Sequence, residues 1–324
     1  MSDEQHQSTT RGFDLAVVVL NYKTPELVVD CLRSLDGQIC PTRQEVVVVD
    51  NASGDDSADR IERAIEEHGW AAWARVVRSE INGGFAAGNN VGIKASDASV
   101  YLLLNSDTIV REGAIDKLMS TLEEHPEIDM LTPQLEWPDG THQISTFRYR
   151  TPITDLIYAS RLGVLGRLFP GHVVARELHD FTAGLDWVSF ACIAIRRAVF
   201  DTVGLLDERY FMYFEDMAMC RKATGAGFTI AYQPEAHVVH LRGGSSPVKE
   251  QTRQRKRRPG YYYAARAHYI QSFYGRIGLV CANLLWLVGW GLGALRGRTG
   301  AVAREYLDIW TSPKHTVEIG GEDG

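Results

Sequence analysis

Residues 100–108 read Val-Tyr-Leu-Leu-Leu-Asn-Ser-Asp-Thr, an apolar run that stops abruptly at polar residues. A short apolar run with β-branched and aromatic members is typical of a buried strand. Open α/β sheets bind ligands at the carboxyl ends of their strands, so this strand would carry the Asp107 carboxylate to such an edge. Asn, Ser and Asp also end strands because they favour turns, and this stretch alone leaves both interpretations open.

Three further apolar runs upstream end in the same way. They cover residues 15–20, 45–49 and 75–77. Amphipathic stretches that predict helices lie at residues 26–35, 57–67 and 86–95. Strands that alternate with helices indicate an α/β fold with a mainly parallel sheet, and continuous apolar strands predict helices on both of its faces. We therefore expect the residues that follow the strands, namely Asn21, Asp50, Asn82 and Asp107, to lie along one edge of that sheet.

The residues at these strand ends suit a nucleotide ligand. Asp50 can accept hydrogen bonds from a base or a ribose, or it can cap the next helix. Gly83 and Gly84 allow a ligand to approach the backbone closely, or they form an ordinary tight turn. The sequence has neither a P-loop pattern nor a Gly-x-Gly-x-x-Gly pattern after a strand, which disfavours both of those nucleotide-binding classes.

Six motifs, in order, resemble the family 2 glycosyltransferases with the GT-A fold, and among them the bacterial rhamnosyltransferase-like branch. The motifs are VVVLNYKTPELVVDCLRSL (17–35), VVVVDNASGDDS (46–57), INGGFAAGNNVGI (81–93), YLLLNSDTIV (101–110), FMYFEDMAMCRKA (211–223) and HVVHLRGGSS (237–246). The resemblance implies a Rossmann-like sheet and an inverting transfer of a sugar from a nucleotide diphosphate donor to an acceptor hydroxyl, and the rhamnosyltransferase-like branch implies rhamnose as that sugar.

The resemblance also implies which residues bind the donor. These are Asn21, Tyr22, Asp50, Asn51, Ser53, Asn82, Gly83, Gly84, Gly88, Asn89, Asn105, Ser106 and Asp107. Asp107 is the last acid of the family's metal-binding Asp-x-Asp, but Asn105 stands at its first position. One carboxylate can still hold Mn²⁺ or Mg²⁺ together with donor phosphates and water. His240 would reach the metal or the diphosphate, and Arg242 would neutralise charge on the leaving phosphate.

Glu215 and Asp216 resemble the family's acid pair at the start of a helix. Asp216 would then be the general base that takes the proton of the acceptor hydroxyl, and Glu215 would orient the acceptor or the base. Two acids at a helix N-terminus are also ordinary capping. Ala218 stands where the family often has a further acid. Two alternatives therefore remain open, a non-catalytic nucleotide-sugar-binding protein and a membrane scaffold with a vestigial transferase domain.

Composition is that of a globular protein of 324 residues, with 45% hydrophobic and 23% charged residues. We expect a tail at 1–12, a GT-A domain at 13–250 and a helical extension at 251–324. Within the GT-A domain, 13–110 would bind the nucleotide sugar and 111–250 would bind the acceptor. The five cysteines are scattered without a Cys-x-x-Cys, and the first dozen residues are polar, so we expect a reducing cytoplasm and no signal peptide.

The extension is basic, although the whole chain has a net charge of −7. Residues 251–300 hold nine Lys or Arg and no Asp or Glu, with a cluster at 253–258 followed by tyrosines 261–263. Residues 277–295 carry no charge and include Trp286 and Trp290. This order suits the anionic inner face of a membrane and hence a lipid-linked glycan acceptor. The uncharged segment can lie on the membrane, pack on the domain or span the bilayer. Nucleic acid is not expected as a partner, because no recognition motif accompanies the basic cluster.

Overall fold

A mixed, mostly parallel sheet with helices on both faces forms the centre of the computed structural model. The structure describes residues 12–241, 258–295 and 305–311. The strands are β1 (Phe13–Asn21), β2 (Gln44–Asp50), β3 (Ala74–Arg78), β4 (Ala98–Asn105), β5 (Thr108–Val110), β6 (Met130–Glu136), β7 (His142–Gln143), β8 (Thr146–Phe147), β9 (Ala175–Arg176), β10 (Thr182–Ala183), β11 (Trp187–Val188), β12 (Cys192–Arg196) and β13 (Ile230–His240). The helices are α1 (Pro25–Leu35), α2 (Ser57–Glu67), α3 (Gly84–Lys94), α4 (Ala114–Glu124), α5 (Pro152–Ser160), α6 (Gly163–Leu168), α7 (Arg197–Val203), α8 (Glu215–Gly225), α9 (Gly260–Ala294) and α10 (Glu305–Thr311).

The strand order of the large sheet is β10-β13-β6-β12-β4-β1-β2-β3. β1 pairs in parallel with β2 on one side and with β4 on the other. In these registers Asn21 lies beside Asp50, and Leu20 lies beside Asn105. β12 runs antiparallel between β4 and β6 and makes the sheet mixed. The predicted α/β fold, with polar residues at one sheet edge, is confirmed.

Alternate residues of β1 enter two different cores. Leu15, Val17 and Val19 pack with α1, α2 and α4 on one face, whereas Ala16 and Val18 pack with α3, α7 and α8 on the other. This alternation follows from the strand period of two, and both faces are buried because helices cover both.

Helix α3 lies unusually close to β1 because it presents glycines to the strand. A Cβ atom at Gly92 would come within 2.3 Å of Val18 Cγ1, and one at Gly88 within 2.4 Å of Leu20 Cδ1. A side chain at Gly92 would press on Val18 and Val49, and one at Gly88 would require the end of the Leu20 side chain to move. The close approach holds the N-terminus of α3 beside the carboxyl ends of β1 and β2, where the candidate site lies.

Helix α9 is kinked at Gly275, whose φ is 69°, and its C-terminal part packs against α5. A Cβ atom at Gly289 would come within 2.4 Å of the Leu156 carbonyl oxygen, and one at Gly293 within 2.8 Å of that of Ser160. Tyr263 and Trp286 are buried in a small core with Ile309 of α10. The expectation that these two aromatic residues face a membrane is therefore wrong, because packing against α10 covers both.

A buried polar network joins α9 to α5. Arg266, which is 3% exposed, donates to Asp155 Oδ2 at 2.9 Å and to Asn283 Oδ1 at 2.8 Å. Arg150 donates to the other carboxylate oxygen of Asp155 at 2.9 Å. A buried cation is tolerated only where such partners compensate its lost hydration.

We expect Asp155→Ala to lower the free energy of unfolding by about 3–5 kcal/mol, because it leaves two largely buried arginines without their carboxylate. Urea unfolding followed by tryptophan fluorescence measures the change. Asp30→Ala is the matched control, since it breaks an exposed pair with Arg33 and should cost less than about 1 kcal/mol. Equal losses in the two variants would contradict a structural role for the Asp155 network.

Candidate active site

An open cleft lies at the carboxyl ends of β1, β2 and β4. Predicted site residues that line it are Tyr22, Asn51, Asn82, Gly84, Asn105, Ser106, Asp107, Glu215, Asp216 and His240. They come from six separate segments of the chain, and the acid pair and the strand-end residues line the same cleft. The fold thus brings the predicted nucleotide side and the predicted catalytic side together.

Three other predicted residues form a hydrogen-bonded cluster behind the cleft wall. Asp50 Oδ1 accepts from Asn21 Nδ2 at 2.7 Å and from Ser53 Oγ at 2.6 Å, and Asp50 Oδ2 accepts from the Ser53 amide at 3.2 Å. Asp50 does not cap α2, which begins seven residues later at Ser57. The cluster fixes the turns that follow β1 and β2 and so shapes the adjoining wall.

The turn before α3 is tied to the end of β2. Asn51 Nδ2 donates to Asn82 Oδ1 at 2.9 Å and to the Gly84 carbonyl at 3.1 Å, and Asn82 Oδ1 also accepts from the Gly84 amide at 3.0 Å. These bonds fix the orientation of the Asn51 amide and leave its Oδ1 without a hydrogen-bond partner among the described residues. A buried, unpaired acceptor beside the cleft suits an N–H donor of a ligand or a water molecule.

Gly84 holds the loop that carries the acid pair. Its φ is +80°, and a Cβ atom there would come within 2.0 Å of the Phe211 carbonyl oxygen. That same carbonyl accepts from the Phe85 amide at 2.7 Å. Asn90 adds a second tie, since its side chain accepts from the Leu206 amide at 3.1 Å and donates to the Leu206 carbonyl at 2.8 Å. The N-terminal half of α3 therefore positions residues 206–214.

The resemblance implied that Gly88 and Asn89 lie in a loop beside the donor. Both lie within α3 instead. Asn89 is buried, and its Nδ2 donates to the Phe85 carbonyl at 2.9 Å. Gly83 immediately precedes the helix. We find these three residues at or within the helix that supports the site, and they are absent from the cleft lining.

The acid pair opens α8 after two residues in the left-handed region. Tyr213 has φ 73° and Phe214 has φ 71°, a conformation that costs a side-chain-bearing residue about 1–3 kcal/mol. Burial raises the pKa of the Asp216 carboxyl to about 7, although its Oδ1 accepts from the Met217 amide at 2.7 Å. Burial and the neighbouring Asp216 charge raise the pKa of Glu215 well above its ordinary value. Strain combined with two raised carboxyl pKa values is typical of a catalytic site.

His240 is buried opposite Asp107, with 3.4 Å between His240 Nε2 and Asp107 Oδ1. Gln143 fixes its ring. The Gln143 amide nitrogen donates to the His240 carbonyl at 3.0 Å, so Gln143 Oε1 faces His240 Nδ1 at 3.2 Å. An amide oxygen can only accept, so Nδ1 donates to Gln143 Oε1, and Nε2 is the ring nitrogen that faces Asp107.

Asp107 and His240 fit a divalent cation as two ligands of a larger set. One carboxylate oxygen and one imidazole nitrogen suit Mn²⁺ or Mg²⁺, and the Gln143 contact is the kind of support that orients a ligating histidine. Among the described residues, no group of three His, Cys, Asp or Glu is placed to hold a metal ion. Ligands from a bound diphosphate and from water would have to complete the coordination.

Two other residues of the motif at 237–246 do not line the described cleft. His237 lies outside it, where its ring approaches Glu136 Oε2 at 3.4 Å. Arg242 lies outside the described residues.

Sequence reasoning missed part of the cleft lining. Ser189, Phe190 and Ala191, between β11 and β12, line the cleft, and Tyr261 of α9 packs near Phe211 and Tyr213 there. The sequence shows the tyrosines at 261–263 as a cluster, but their position after a basic segment predicted contact with a membrane and not with the cleft. Gln143 and Asn90 gave no signal in sequence, because their roles depend on contacts with residues far along the chain.

Comparison with known proteins agrees with this architecture. Residues 12–261 match the family described as "Glycosyltransferase like family 2". The chain is similar to the N-acetylglucosaminyl-diphospho-decaprenol L-rhamnosyltransferase of Mycobacterium tuberculosis, with 30% identity over 150 residues. That alignment covers 45% of this chain and 48% of the relative, so the chain spans about half the length of the curated relative that it matches.

Solved structures share the fold. The chain is similar to S. aureus TarS residues 1–349, with a TM-score of 0.56 and 19% identity over 92% of this chain and 78% of that one. It is also similar to the mannosyltransferase PcManGT from Pyrobaculum calidifontis in complex with GDP-Man and Mn²⁺, with a TM-score of 0.53 and 15% identity over 94% and 80% of the two chains. At these identities the likeness shows the fold alone, and it confirms the predicted GT-A-like fold.

We expect Gly84→Ala to destabilise the protein more than Gly140→Ala, as measured by urea unfolding. Both glycines have a positive φ, and alanine there costs about 1–2 kcal/mol. Gly140 has open space around it, whereas the Gly84 variant must also displace the Phe211 carbonyl. Equal effects would mean that the contact between Gly84 and Phe211 does not hold the loop.

We expect Asp216→Asn to make the protein more stable than the parent at pH 8 and to give little advantage at pH 4. The folded-state pKa of about 7 exceeds the ordinary value, so the folded protein binds more protons than the unfolded chain between these values. Its unfolding free energy therefore falls as the pH rises through that range, and asparagine cannot ionise. Thermal unfolding at both pH values tests this, and Glu215→Gln should act in the same direction. A destabilised Asp216→Asn protein at pH 8 would contradict the burial argument.

Proposed function

Because this chain belongs to glycosyltransferase family 2, we propose that it transfers a sugar from a nucleoside diphosphate donor to an acceptor hydroxyl, with inversion. The observation that carries this proposal is the single cleft lined both by the strand-end residues Asn51 and Asp107 and by the acid pair Glu215–Asp216. A nucleotide on the first side and an acceptor on the second would meet between them.

In this mechanism the ionised Asp216 accepts the proton of the acceptor hydroxyl as that oxygen attacks the anomeric carbon. The new carbon–oxygen bond forms while the bond to the diphosphate breaks, and the electron pair leaves with the diphosphate. Attack and departure on opposite faces invert the anomeric centre without a covalent enzyme intermediate. Glu215 lies deeper, with Oε2 buried and without a hydrogen-bond partner among the described residues, and it orients Asp216 or the acceptor.

Asp107 and His240 would hold the divalent cation, Mn²⁺ or Mg²⁺. Bound there, the ion supplies charge neutralisation to the diphosphate. Gln143 keeps the His240 ring in the orientation that such binding requires. Because Asn105 stands at the first position of the Asp-x-Asp motif, Asp107 supplies the carboxylate of that motif. The structural neighbour PcManGT, in its complex with Mn²⁺ and GDP-Man, supports this part of the proposal.

We propose rhamnose as the sugar and a lipid-linked glycan as the acceptor, in cell-surface polysaccharide or cell-wall glycan synthesis at the inner face of the membrane. The support is the M. tuberculosis relative, whose name combines L-rhamnosyl transfer with a diphospho-decaprenol acceptor. Aromatic rings of Phe211, Tyr213 and Tyr261 line the cleft and offer apolar faces for an acceptor sugar. A deoxythymidine diphosphate donor is what the resemblance to the rhamnosyltransferase-like branch implies, and uridine donors are the alternative.

The non-catalytic alternatives rested on Asn105 and Ala218. Ala218 is buried in an apolar cluster with Phe214 and Tyr269, and it does not line the cleft. Alanine at this position therefore removes no base from the site, and only Asn105 still favours a protein that binds donor without turnover.

Donor turnover by the purified protein tests the proposal. We would incubate it with deoxythymidine, uridine and guanosine diphosphate sugars, each with Mn²⁺, Mg²⁺ or a chelator, and quantify release of the nucleoside diphosphate. We expect metal-dependent turnover of one donor, falling as the pH drops below about 7 because Asp216 becomes protonated. Asp216→Asn should lower kcat about 100- to 10,000-fold with donor binding retained.

Asp107→Ala should instead abolish metal-dependent donor binding. Asp139→Asn is the matched control, because it removes a carboxylate from an exposed turn outside the cleft. Donor binding that is unaffected by Asp216→Asn, with no turnover by either protein even when a polyprenyl diphosphate glycan is supplied, would refute the transferase proposal in favour of a binding protein.

A further inference from the structure

Large apolar side chains are exposed on one stripe of α9. We call this stripe the apolar face, and it consists of Ile277, Val280, Leu284, Val288, Leu292 and Leu295. Its members recur every three or four residues, so they lie along one side of the helix. Leu307 and Trp310 of α10, which packs on α9, are also exposed. A soluble monomer rarely leaves so continuous an apolar surface in water, which marks the face as an interaction surface.

The opposite side of the same helix is committed to the protein. Ala282, Asn283, Trp286, Gly289 and Gly293 are buried, and the two glycines allow contact with the backbone of α5. The helix therefore has one side that packs on the transferase domain and one side that packs on nothing within the described residues.

The buried side argues against a membrane span. By length and composition, α9 is the helix of the described segments that could cross a membrane. Spanning would pull Asn283 away from Arg266, to which its Oδ1 is bonded at 2.8 Å, and from the Ile309 carbonyl, to which its Nδ2 donates at 3.2 Å. If the whole of α9 left α5, Arg266 would also lose Asp155, and a charge without its partner in the bilayer is costly.

We propose that the apolar face lies in the plane of an anionic lipid bilayer, inserted to the depth of its side chains while α9 stays packed on α5. Positive charge around the apolar face favours an anionic lipid surface as its partner. Arg276 is exposed at the start of the face, and Arg161 and Arg167 are exposed next to α5. The sequence around α9 is basic, although the chain as a whole is negative. An apolar stripe flanked by arginines is the pattern of a helix that binds a negatively charged membrane surface.

The same helix also reaches the cleft. Tyr261, in its first turn, lines the cleft, and the stretch from Tyr261 to Tyr274 spans about 20 Å before the kink. Binding through the apolar face would thus hold the cleft at a fixed distance of this order from the lipid surface. The inference thus adds a geometry to the membrane contact proposed above. It rests on the proposed function only where it gives that contact a purpose, namely access to a lipid-linked acceptor.

A native cysteine on this side of the helix provides the probe. Cys281 and Cys40 are exposed, whereas the other three cysteines are buried. Full-length protein with Cys40→Ser would be labelled at Cys281 with an environment-sensitive fluorophore and mixed with vesicles. With phosphatidylglycerol in phosphatidylcholine vesicles we expect a blue shift, reversed by high salt or alkaline wash. With phosphatidylcholine alone we expect a much smaller shift, since charge attraction is lost.

Flotation of unlabelled variants tests the face itself. Leu284→Ser combined with Val288→Ser should weaken vesicle partition by about tenfold or more, because two apolar side chains no longer enter the lipid. Ile81→Ser is the matched control, since Ile81 is equally apolar, 65% exposed and far from α9 in sequence. Its partition should equal that of the parent, and circular dichroism would check that all variants are folded.

Three results would overturn the inference. Equal partition of the double variant and the parent would show that the face does not touch lipid. Resistance to alkaline wash would show a span. Concentration-dependent dimerisation that the double variant abolishes, without vesicle binding, would assign the face to a second copy. Donor turnover without vesicles reports the transferase separately, so loss of vesicle binding with turnover intact refutes only the membrane contact.

Discussion

Parallel pairing of β1 with β2 and β4 is the constraint on which the rest of the structure depends. Parallel neighbours end at the same edge, so the register that places Asn21 beside Asp50 and Leu20 beside Asn105 converts separate polar turns into one wall. The apolar bodies of the strands are buried under helices on both faces, which fixes the register because a one-residue slip would exchange the two cores. Stability of the sheet and geometry of the cleft therefore have a common cause.

The side of the cleft that carries the acid pair Glu215–Asp216 has a strained backbone and buried carboxyl groups, which lower the stability of the fold. Contacts with α3 hold it in place. Two residues with positive φ precede a pair of carboxyl groups whose pKa values burial raises. Such a segment would relax if it were free, but Phe85 and Asn90 of α3 hydrogen-bond to the backbone before it at Phe211 and Leu206. The fold thus holds in place, at some cost in stability, the carboxyl pair that we propose to include the base, a combination that is common at active sites.

Helix α9 links the cleft to the outer surface of the molecule. Its first turn contributes Tyr261 to the cleft, its middle is anchored by Arg266 and Asn283, and its last turns expose the apolar face. Residues 260–294 are apolar almost throughout, so composition alone does not distinguish a core helix, a surface helix and a span. The buried glycines and the polar network show that one side of α9 packs on α5, and on this our inference about its other side rests.

The sequence by itself determined the alternation of strands and helices up to residue 105, the burial of the sheet on both faces and the gathering of Asn21, Asp50, Asn82 and Asp107 at one edge, since periodicity and turn chemistry are local properties. Motif resemblance added the acid pair and His240. Only the tertiary structure decided that Asp50 lies behind the cleft, that Tyr261 lines it, and that Gln143 and Asn90 position His240 and the acid loop. Those roles arise from contacts between residues that are 29 to 116 positions apart in the chain, and no single stretch of sequence carries a signal for such contacts.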